Sequence, residues 1–270
     1  MIDTKDLTLH GIGYRVSGCG PQAIVLLRGL ARWSEHWIGF DQHLARNGYK
    51  VISIDNRGFG RSRGASVKNL DVPQMAEDVA AILTKEAPSG AHVVGVSLGG
   101  MIAITLAATK PQLVRSLMVI NSSVSASRLK RLSSRAMLSI LSLLLRSKNG
   151  HKNLADILLG SKTPLERKQQ FIESWQKIDF SNDIKLAHLW AQLKAARRFN
   201  GVSEMAAVRC PSRVVKGAAD MFVDPRNSDF IHKCIKDSEL ITHPTAGHEI
   251  VFEDPAWLEK TIMEQISACP

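Results

Sequence analysis

The sequence predicts an α/β fold in which helices cover both faces of a mostly parallel central sheet. Short, mostly apolar runs that are typical of doubly buried strands alternate with longer helical segments. These runs occupy residues 23–27, 51–54, 92–94, 117–120, 213–216 and 240–242. Between about residues 122 and 208 the pattern changes to helices alone. We therefore predict a core of residues 1–122 and 208–270, with a helical cap of residues 123–207 inserted after the sixth strand.

Local signals place the ends of several elements. Residues 7–16 are predicted to form a strand or hairpin at the edge of the sheet. A helix over about residues 34–46 is expected to end at Asn47-Gly48, where a glycine follows the last helical turn. A helix that continues to about residue 86 is predicted to begin at Asp71, which serves as its N-cap, with Pro73 in the first turn. Further helices are predicted at residues 136–146 and 163–178, after Asp224-Pro225, and at about residues 254–267.

Composition and charge narrow the class of protein. A chain of 270 residues with 44% hydrophobic and 22% charged residues resembles ordinary globular proteins, and no apolar run approaches the ~20 residues that span a bilayer. No secretory signal is visible and the four cysteines form no C-x-x-C pair, so we expect a cytoplasmic protein with reduced thiols, no metal site and no cofactor. The net charge of +10 favours an acidic protein or an anionic membrane surface as partner; no nucleic-acid-reading motif is present.

The strongest functional signal is the pentapeptide Gly95-Val96-Ser97-Leu98-Gly99. It lies between a predicted buried strand and a predicted buried helix. A serine on so tight a corner has strained backbone geometry, and side chains at positions 95 and 99 would collide with neighbouring elements. The serine hydroxyl is then exposed at a helix N-terminus, where free amides favour negative charge. This G-x-S-x-G nucleophile elbow predicts that Ser97 is a nucleophile.

With four further segments, this elbow makes the chain resemble the α/β-hydrolase family over essentially its whole length. The segments are Arg28-Gly29-Leu30, where the family usually has His-Gly-x, the D-x-R-G-x-G-x-S loop Asp55–Ser62, the turn Gly217–Asp220 and the turn Ala246–His248. The resemblance implies a serine, an acid and a histidine in that order along the chain. Family members that open epoxides or displace halide have aspartate at the elbow, so serine argues against both reactions.

His248 and Asp220 are the predicted partners of Ser97. A serine hydroxyl is a weak nucleophile until a base removes its proton, and the loop that carries His248 follows the last strand, within reach of the elbow. The histidine in turn needs a carboxylate to fix its tautomer, and Asp220 ends a late strand. Asp224 is the alternative acid, although its position before Pro225 favours a helix cap.

Two backbone amides are predicted to bind the oxyanion that forms during the reaction, those of Leu98 and Leu30. Arg28 has two interpretations, either a structural arginine that bonds loop carbonyls or a cation that helps to receive an anionic substrate group. Trp33 is a further candidate for substrate contact.

These residues predict a serine-dependent carboxylic-ester hydrolase that acts on a medium-sized acyl ester through an acyl-enzyme. Ser97 attacks the carbonyl carbon, His248 transfers the proton to the leaving alcohol, and water repeats the cycle. Thioesterase, lipase and C–C bond hydrolase activities on the same fold stay open. A non-catalytic protein that binds a ligand or an acidic partner is the alternative from another class.

Two basic clusters flank the predicted cap helices, one with Arg131 and Arg135 and one with Arg197 and Arg198. Either they are solvated helix ends, or they surround an acyl-binding pocket and attract an acidic carrier or a lipid head group. The basic cap and the segment Gly60–Gly64 are similar to esterases that remove the methyl ester of pimeloyl-acyl carrier protein in biotin synthesis. The resemblance implies that acidic acyl carrier protein is a partner and that the four arginines contact the substrate.

Overall fold

In the computed structural model, which describes residues 2–127, 129, 134–144, 149–180 and 185–269, eight strands form one sheet. They are β1 (Thr4–Leu9), β2 (Ile12–Ser17), β3 (Ala23–Leu27), β4 (Lys50–Ile54), β5 (Ala91–Val96), β6 (Val114–Ile120), β7 (Ser212–Gly217) and β8 (Glu239–His243). Their order in the sheet is β1-β2-β4-β3-β5-β6-β7-β8. The β1–β2 and β2–β4 pairs are antiparallel and the other five pairs are parallel, which confirms the predicted fold class.

Helices connect the parallel strands and cover the sheet. They are α1 (Phe40–Arg46), α2 (Val72–Glu86), α3 (Leu98–Thr109), α4 (Ser134–Leu144), α5 (Gly150–Leu158), α6 (Leu165–Phe180), α7 (Leu186–Arg198), α8 (Val202–Ala207), α9 (Arg226–Cys234), α10 (Ile250–Glu253) and α11 (Pro255–Ser267). As predicted, Asp71 caps α2 by accepting a hydrogen bond from the amide of Gln74 at 2.8 Å. Among the described residues, no helix has both the length and the apolar character needed to cross a bilayer.

Successive strand residues pack on opposite sides of the sheet. Val93 and Leu117 belong to the apolar cluster that contains residues of α2 and α3, whereas Val94 and Met118 belong to the cluster that contains residues of α1 and α11. Both faces are therefore buried, because side chains alternate along a strand and helices lie on either side. This burial explains why the central strands are continuous apolar runs in the sequence.

A helical cap follows the sixth strand, as predicted. Helices α4 to α8 lie between β6 and β7 in the chain. The cap has its own apolar cluster, which includes Leu154 of α5 and Trp175 of α6 and reaches Phe222 in the core. The described parts of α4 and α6 overlap the helices predicted over residues 136–146 and 163–178, whereas the outer limits of the cap at residues 123 and 207 stay a prediction.

The prediction of one continuous helix over residues 34–46 is wrong, because the helix is interrupted. Residues Ser34–Trp37 form a 3₁₀ turn, and α1 begins only at Phe40. Between them Ile38 and Gly39 have φ angles of 52° and 79°. Left-handed backbone geometry at two successive residues ends one helical segment and begins another in a new direction.

Candidate active site

The loops that carry the predicted site residues all leave the carboxyl ends of parallel strands. Ser97 follows β5, Asp220 follows β7, His248 follows β8, and the Arg28–Arg32 loop follows β3. Since these strands are neighbours in the order β3-β5-β6-β7-β8, their carboxyl ends meet at one edge of the sheet. The topology thus brings Ser97 and His248 together, although they are 151 residues apart in the chain.

Ser97 occupies a strained corner between β5 and α3. Its φ and ψ angles are 57° and −117°, a conformation that L-residues rarely adopt. The corner leaves no room for side chains at the flanking positions. A Cβ on Gly95 would lie 2.3 Å from the Gly99 carbonyl oxygen, and a Cβ on Gly99 would lie 2.3 Å from the Leu27 carbonyl oxygen. The structure therefore confirms the steric reason for both glycines.

Asp220 holds His248 through a buried hydrogen bond. The Asp220 Oδ2 and His248 Nδ1 atoms are 2.7 Å apart, and both residues are buried. The other carboxylate oxygen, Oδ1, accepts hydrogen bonds from the amides of Phe222 and Val223 at 2.8 and 2.9 Å. The carboxylate is thus fixed on both sides, and its bond to Nδ1 leaves Nε2 as the nitrogen available to accept a proton.

The surroundings of His248 favour its protonated form. Burial lowers the pKa of the imidazole, but the charge and hydrogen bond of Asp220, together with the charge of Glu249, raise the pKa above its ordinary value. The charge of Arg28 opposes this increase. A histidine whose cation is stabilised in this way can accept a proton from a hydroxyl during a reaction.

Ser97 and His248 line the same cavity under the cap. Its wall also contains apolar side chains from the core and three cap helices, namely Ile140, Leu154, Leu158, Leu189 and Phe222. A second cavity also borders Ser97 and is lined by Leu193, Ala196 and Arg197 of α7. Ser97 therefore borders two cavities, both of them lined mainly by apolar side chains.

Both predicted oxyanion donors lie beside Ser97. Leu98 is the first residue of α3, so its N–H has no acceptor within the helix. Leu30 lines both cavities with Ser97, and a Cβ on the preceding Gly29 would lie 3.0 Å from the Ser97 Cβ. Glycine at position 29 thus lets the β3 loop approach the serine closely.

Two long-range contacts position these loops, and sequence reasoning missed both. Gln192 of α7 is fully buried; its Oε1 accepts a hydrogen bond from the Ala31 amide at 3.0 Å, and its Nε2 donates to the Arg57 carbonyl oxygen at 3.0 Å. Asn121, after β6, donates to the carbonyl oxygens of Gly247 and His248, both at 3.0 Å. Neither residue lies in a recognisable motif, so only the fold reveals their roles.

Arg28 and Trp33 are not brought to the cavity wall. The Arg28 guanidinium is buried, donates from Nη2 to Glu249 Oε2 at 2.7 Å, and lies 4.9 Å from the centre of the Trp37 ring. Glu249, the partner of Arg28 in this ion pair, does line the cavity beside Ser97 and His248. Trp33 is fully buried and stacks on Phe59.

We expect the replacement Arg28→Met to lower the free energy of unfolding by about 3–5 kcal/mol, because it leaves the Glu249 carboxylate buried without its partner. The double replacement Arg28→Met with Glu249→Met should recover much of this loss. Urea unfolding of the single and double variants measures both effects. Small, additive losses in the two single variants would contradict a coupled buried pair.

The other candidate residues have distinct positions. Asp224 precedes Pro225, the N-cap residue of α9, and its Oδ1 accepts a hydrogen bond from the backbone amide of Arg226, the first residue of that helix, at 3.0 Å. It therefore lies at the start of the helix, one residue before the predicted cap position. Arg135 and Arg198 are exposed on α4 and α7, whereas Arg197 lines the second cavity. Arg131 lies outside the described residues.

The α/β-hydrolase fold family matches residues 22–255 of this sequence. The chain belongs to this family. RutD of Variovorax paradoxus, whose name assigns it to carbamate hydrolysis, is 26% identical over 265 residues that cover 93% of this chain and 94% of RutD. The pimeloyl-[acyl-carrier protein] methyl ester esterase of Aeromonas hydrophila is 40% identical over 106 residues, which are 39% of each chain.

A solved structure shares the fold of this chain over almost its whole length. The enol-lactonase from Burkholderia xenovorans LB400 superposes with a TM-score of 0.77 and 18% sequence identity, over 97% of this chain and 100% of the lactonase. At this identity the similarity establishes the fold alone. Family membership and the names of the relatives together support a hydrolase.

Proposed function

We propose that this chain is a serine-dependent carboxylic-ester hydrolase that forms an acyl-enzyme on Ser97. The observation that carries the proposal is the arrangement of three residues at one edge of the sheet. Ser97 and His248 line one cavity, and the His248 Nδ1 atom lies 2.7 Å from the Asp220 carboxylate. Such an arrangement suits nucleophilic attack on an acyl carbon.

Each residue has one task in the proposed reaction. His248 Nε2 removes the hydroxyl proton of Ser97 as the serine oxygen attacks the ester carbonyl. The backbone amides of Leu30 and Leu98 donate to the oxyanion that develops. His248 then returns the proton to the leaving alcohol, and water attacks the acyl-enzyme by the same route in a second half-reaction. Asp220 stabilises the imidazolium in both halves, and the chemistry needs no cofactor.

The lining of the cavity favours an apolar acyl group of medium length. Ile140, Leu154 and Leu158 come from the cap and approach the cavity that Ser97 borders. An alkyl chain gains binding free energy from such a wall, at about 0.8 kcal/mol for each methylene group that leaves water. The simplest carbamates, the substrate class in the name of RutD, have no alkyl chain that could contact these side chains, so we favour an acyl ester.

That the substrate is bound to acyl carrier protein stays a prediction. The pimeloyl-[acyl-carrier protein] methyl ester esterases suggest it by name, but their similarity covers only 39% of this chain. The basic residues that would attract an acidic carrier include exposed Arg135 and Arg198.

Hydrolysis of p-nitrophenyl esters of increasing acyl length tests the proposed function. We expect a rapid burst of nitrophenol that corresponds to one acyl group per protein molecule, followed by slower turnover. We also expect kcat/KM to rise by roughly fourfold for each added methylene until the cavity is full. A folded protein that shows neither burst nor turnover with any ester would overturn the proposal.

A matched pair of variants on α4 tests the acyl site itself. Ile140→Phe narrows the cavity and should lower kcat/KM for long esters more than for the acetyl ester. Leu138→Phe adds the same ring two residues away, where the side chain is 65% exposed. It should leave kcat/KM unchanged for both the long esters and the acetyl ester. Equal effects of the two variants would contradict the assignment of this cavity to the acyl chain.

A further inference from the structure

The outward face of α7 combines large apolar and basic side chains. Leu186 and Trp190 are 62% and 52% exposed, and Lys194, Arg197 and Arg198 follow them on the next turns. At 100° per residue these five positions fall within an arc of about 120°. The opposite side of α7 is buried through Leu189, Gln192, Leu193 and Ala195. We refer to the five exposed residues as the α7 face.

The α7 face carries positive charge that nothing on its own helix offsets. Residues Leu186–Arg198 include no aspartate or glutamate. The whole segment 123–207 contains 15 lysines and arginines against six aspartates and glutamates, so it holds nine of the ten net positive charges of the chain. The partner of this surface is therefore expected to be strongly anionic.

The exposed apolar side chains are concentrated in the same segment. Of the seven large apolar side chains that are exposed among the described residues, five lie between positions 123 and 207: Leu138, Leu165, Leu186, Trp190 and Val202. They belong to four different helices. A lipid surface can bury side chains from separate helices, because it needs no complementary groove.

The α7 face also adjoins the site. Leu189, on the inner side of α7, lines the apolar cavity beside Ser97. Arg197, at the edge of the exposed arc, lines the second cavity that borders the same serine. A surface that contacts the α7 face would therefore lie next to the cavities.

We propose that the α7 face docks the protein on an anionic phospholipid surface, with Leu186 and Trp190 entering the interface and Lys194, Arg197 and Arg198 contacting lipid phosphates. Tryptophan side chains favour the boundary between head groups and acyl chains, and each basic residue near an anionic surface strengthens binding by about fivefold. Docking would present apolar esters from the lipid phase to Ser97; this consequence rests on the proposed function, whereas the docking does not.

Sedimentation with vesicles tests the docking without any catalytic readout. We expect the protein to bind vesicles of phosphatidylcholine and phosphatidylglycerol in equal parts, to bind pure phosphatidylcholine vesicles far less, and to dissociate as salt is added. Replacing Lys194 and Arg198 with glutamine should weaken binding by roughly 25-fold. Replacing Leu186 and Trp190 with serine should weaken it by about tenfold or more.

A control variant removes two positive charges elsewhere. Lys236 precedes β8 at the amino end of the sheet and Lys260 is exposed on α11, so replacing both with glutamine should leave vesicle binding nearly unchanged. Thermal unfolding shows whether each variant is folded. The blue shift of tryptophan emission on vesicle addition should be largely lost in Trp190→Phe, because Trp33, Trp37 and Trp175 are buried and the half-buried Trp257 of α11 packs against His243.

Three results would overturn the proposal. One is the absence of binding to the anionic vesicles. Another is an equal loss of binding in the control variant, since vesicle binding would then depend on the net charge of the protein and not on the α7 face. The third is an acidic acyl carrier protein binding the α7 face while the anionic vesicles do not, which would make the partner a protein.

Discussion

Replacing Ser97 with alanine is expected to lower kcat for ester hydrolysis by on the order of 10⁴ or more, because no other group can form the acyl-enzyme. His248→Ala should cost a similar factor, since the serine hydroxyl then keeps its proton. The double variant should lose little further, because the two residues act as one unit. Steady-state kinetics on the best p-nitrophenyl ester measures all three.

Ser122→Ala is the matched control for Ser97→Ala. The Ser122 hydroxyl donates to the Ser97 carbonyl oxygen at 2.7 Å, so this variant also removes a hydroxyl group at the elbow. Its kcat should fall far less than that of Ser97→Ala, because Ser122 helps only to hold the corner. Turnover by Ser97→Ala above one tenth of the wild-type value would contradict the nucleophile assignment.

The second large effect is expected for Asp220→Asn, which should lower kcat by about 10⁴. The asparagine amide can turn its NH₂ group toward Nδ1, and the histidine would then carry its proton on the wrong nitrogen. The negative charge that raises the pKa of His248 is also lost. Since the base must be neutral to act, the acid limb of the kcat/KM profile of the residual activity should move to lower pH.

Asp224→Asn is the matched control for this variant, because it removes a carboxylate only four residues away. The hydrogen bond and charge of Arg226 lower the pKa of Asp224, and the Asp224 side chain accepts from the first amide of α9. Asp224→Asn should cost less than about 1 kcal/mol of unfolding free energy, because the asparagine oxygen can accept the same hydrogen bond, and it should cost little activity. An inactive Asp224→Asn beside an active Asp220→Asn would reverse the two assignments.

The sequence predicted the parts of this molecule that depend on local patterns. Buried strands are continuous apolar runs because helices cover both faces of the sheet, and the elbow is visible because Gly95 and Gly99 lie against backbone atoms that exclude a side chain. The carboxylate and the histidine could be ranked because each stands in a turn after a strand. These features follow from residues close together in the chain.

The features that sequence reasoning missed depend on distant parts of the chain. Arg28 pairs with Glu249, 221 positions later, and Gln192 reaches back 161 positions to Ala31. No local pattern indicates which residue will meet which across such separations. The break at Ile38 and Gly39 is local: Gly39 could have indicated it, because glycine readily adopts a left-handed conformation, whereas isoleucine rarely does.

Labelling with a fluorophosphonate probe, followed by mass spectrometry of the digested protein, tests the central claim most directly. The probe reacts with a serine only when a neighbouring base activates the hydroxyl, so it reports on the triad without a choice of substrate. We predict one adduct per molecule on the peptide that contains Ser97, no adduct in Ser97→Ala, and much slower labelling of His248→Ala. A folded protein that resists the probe, or an adduct on a different residue, would contradict the account.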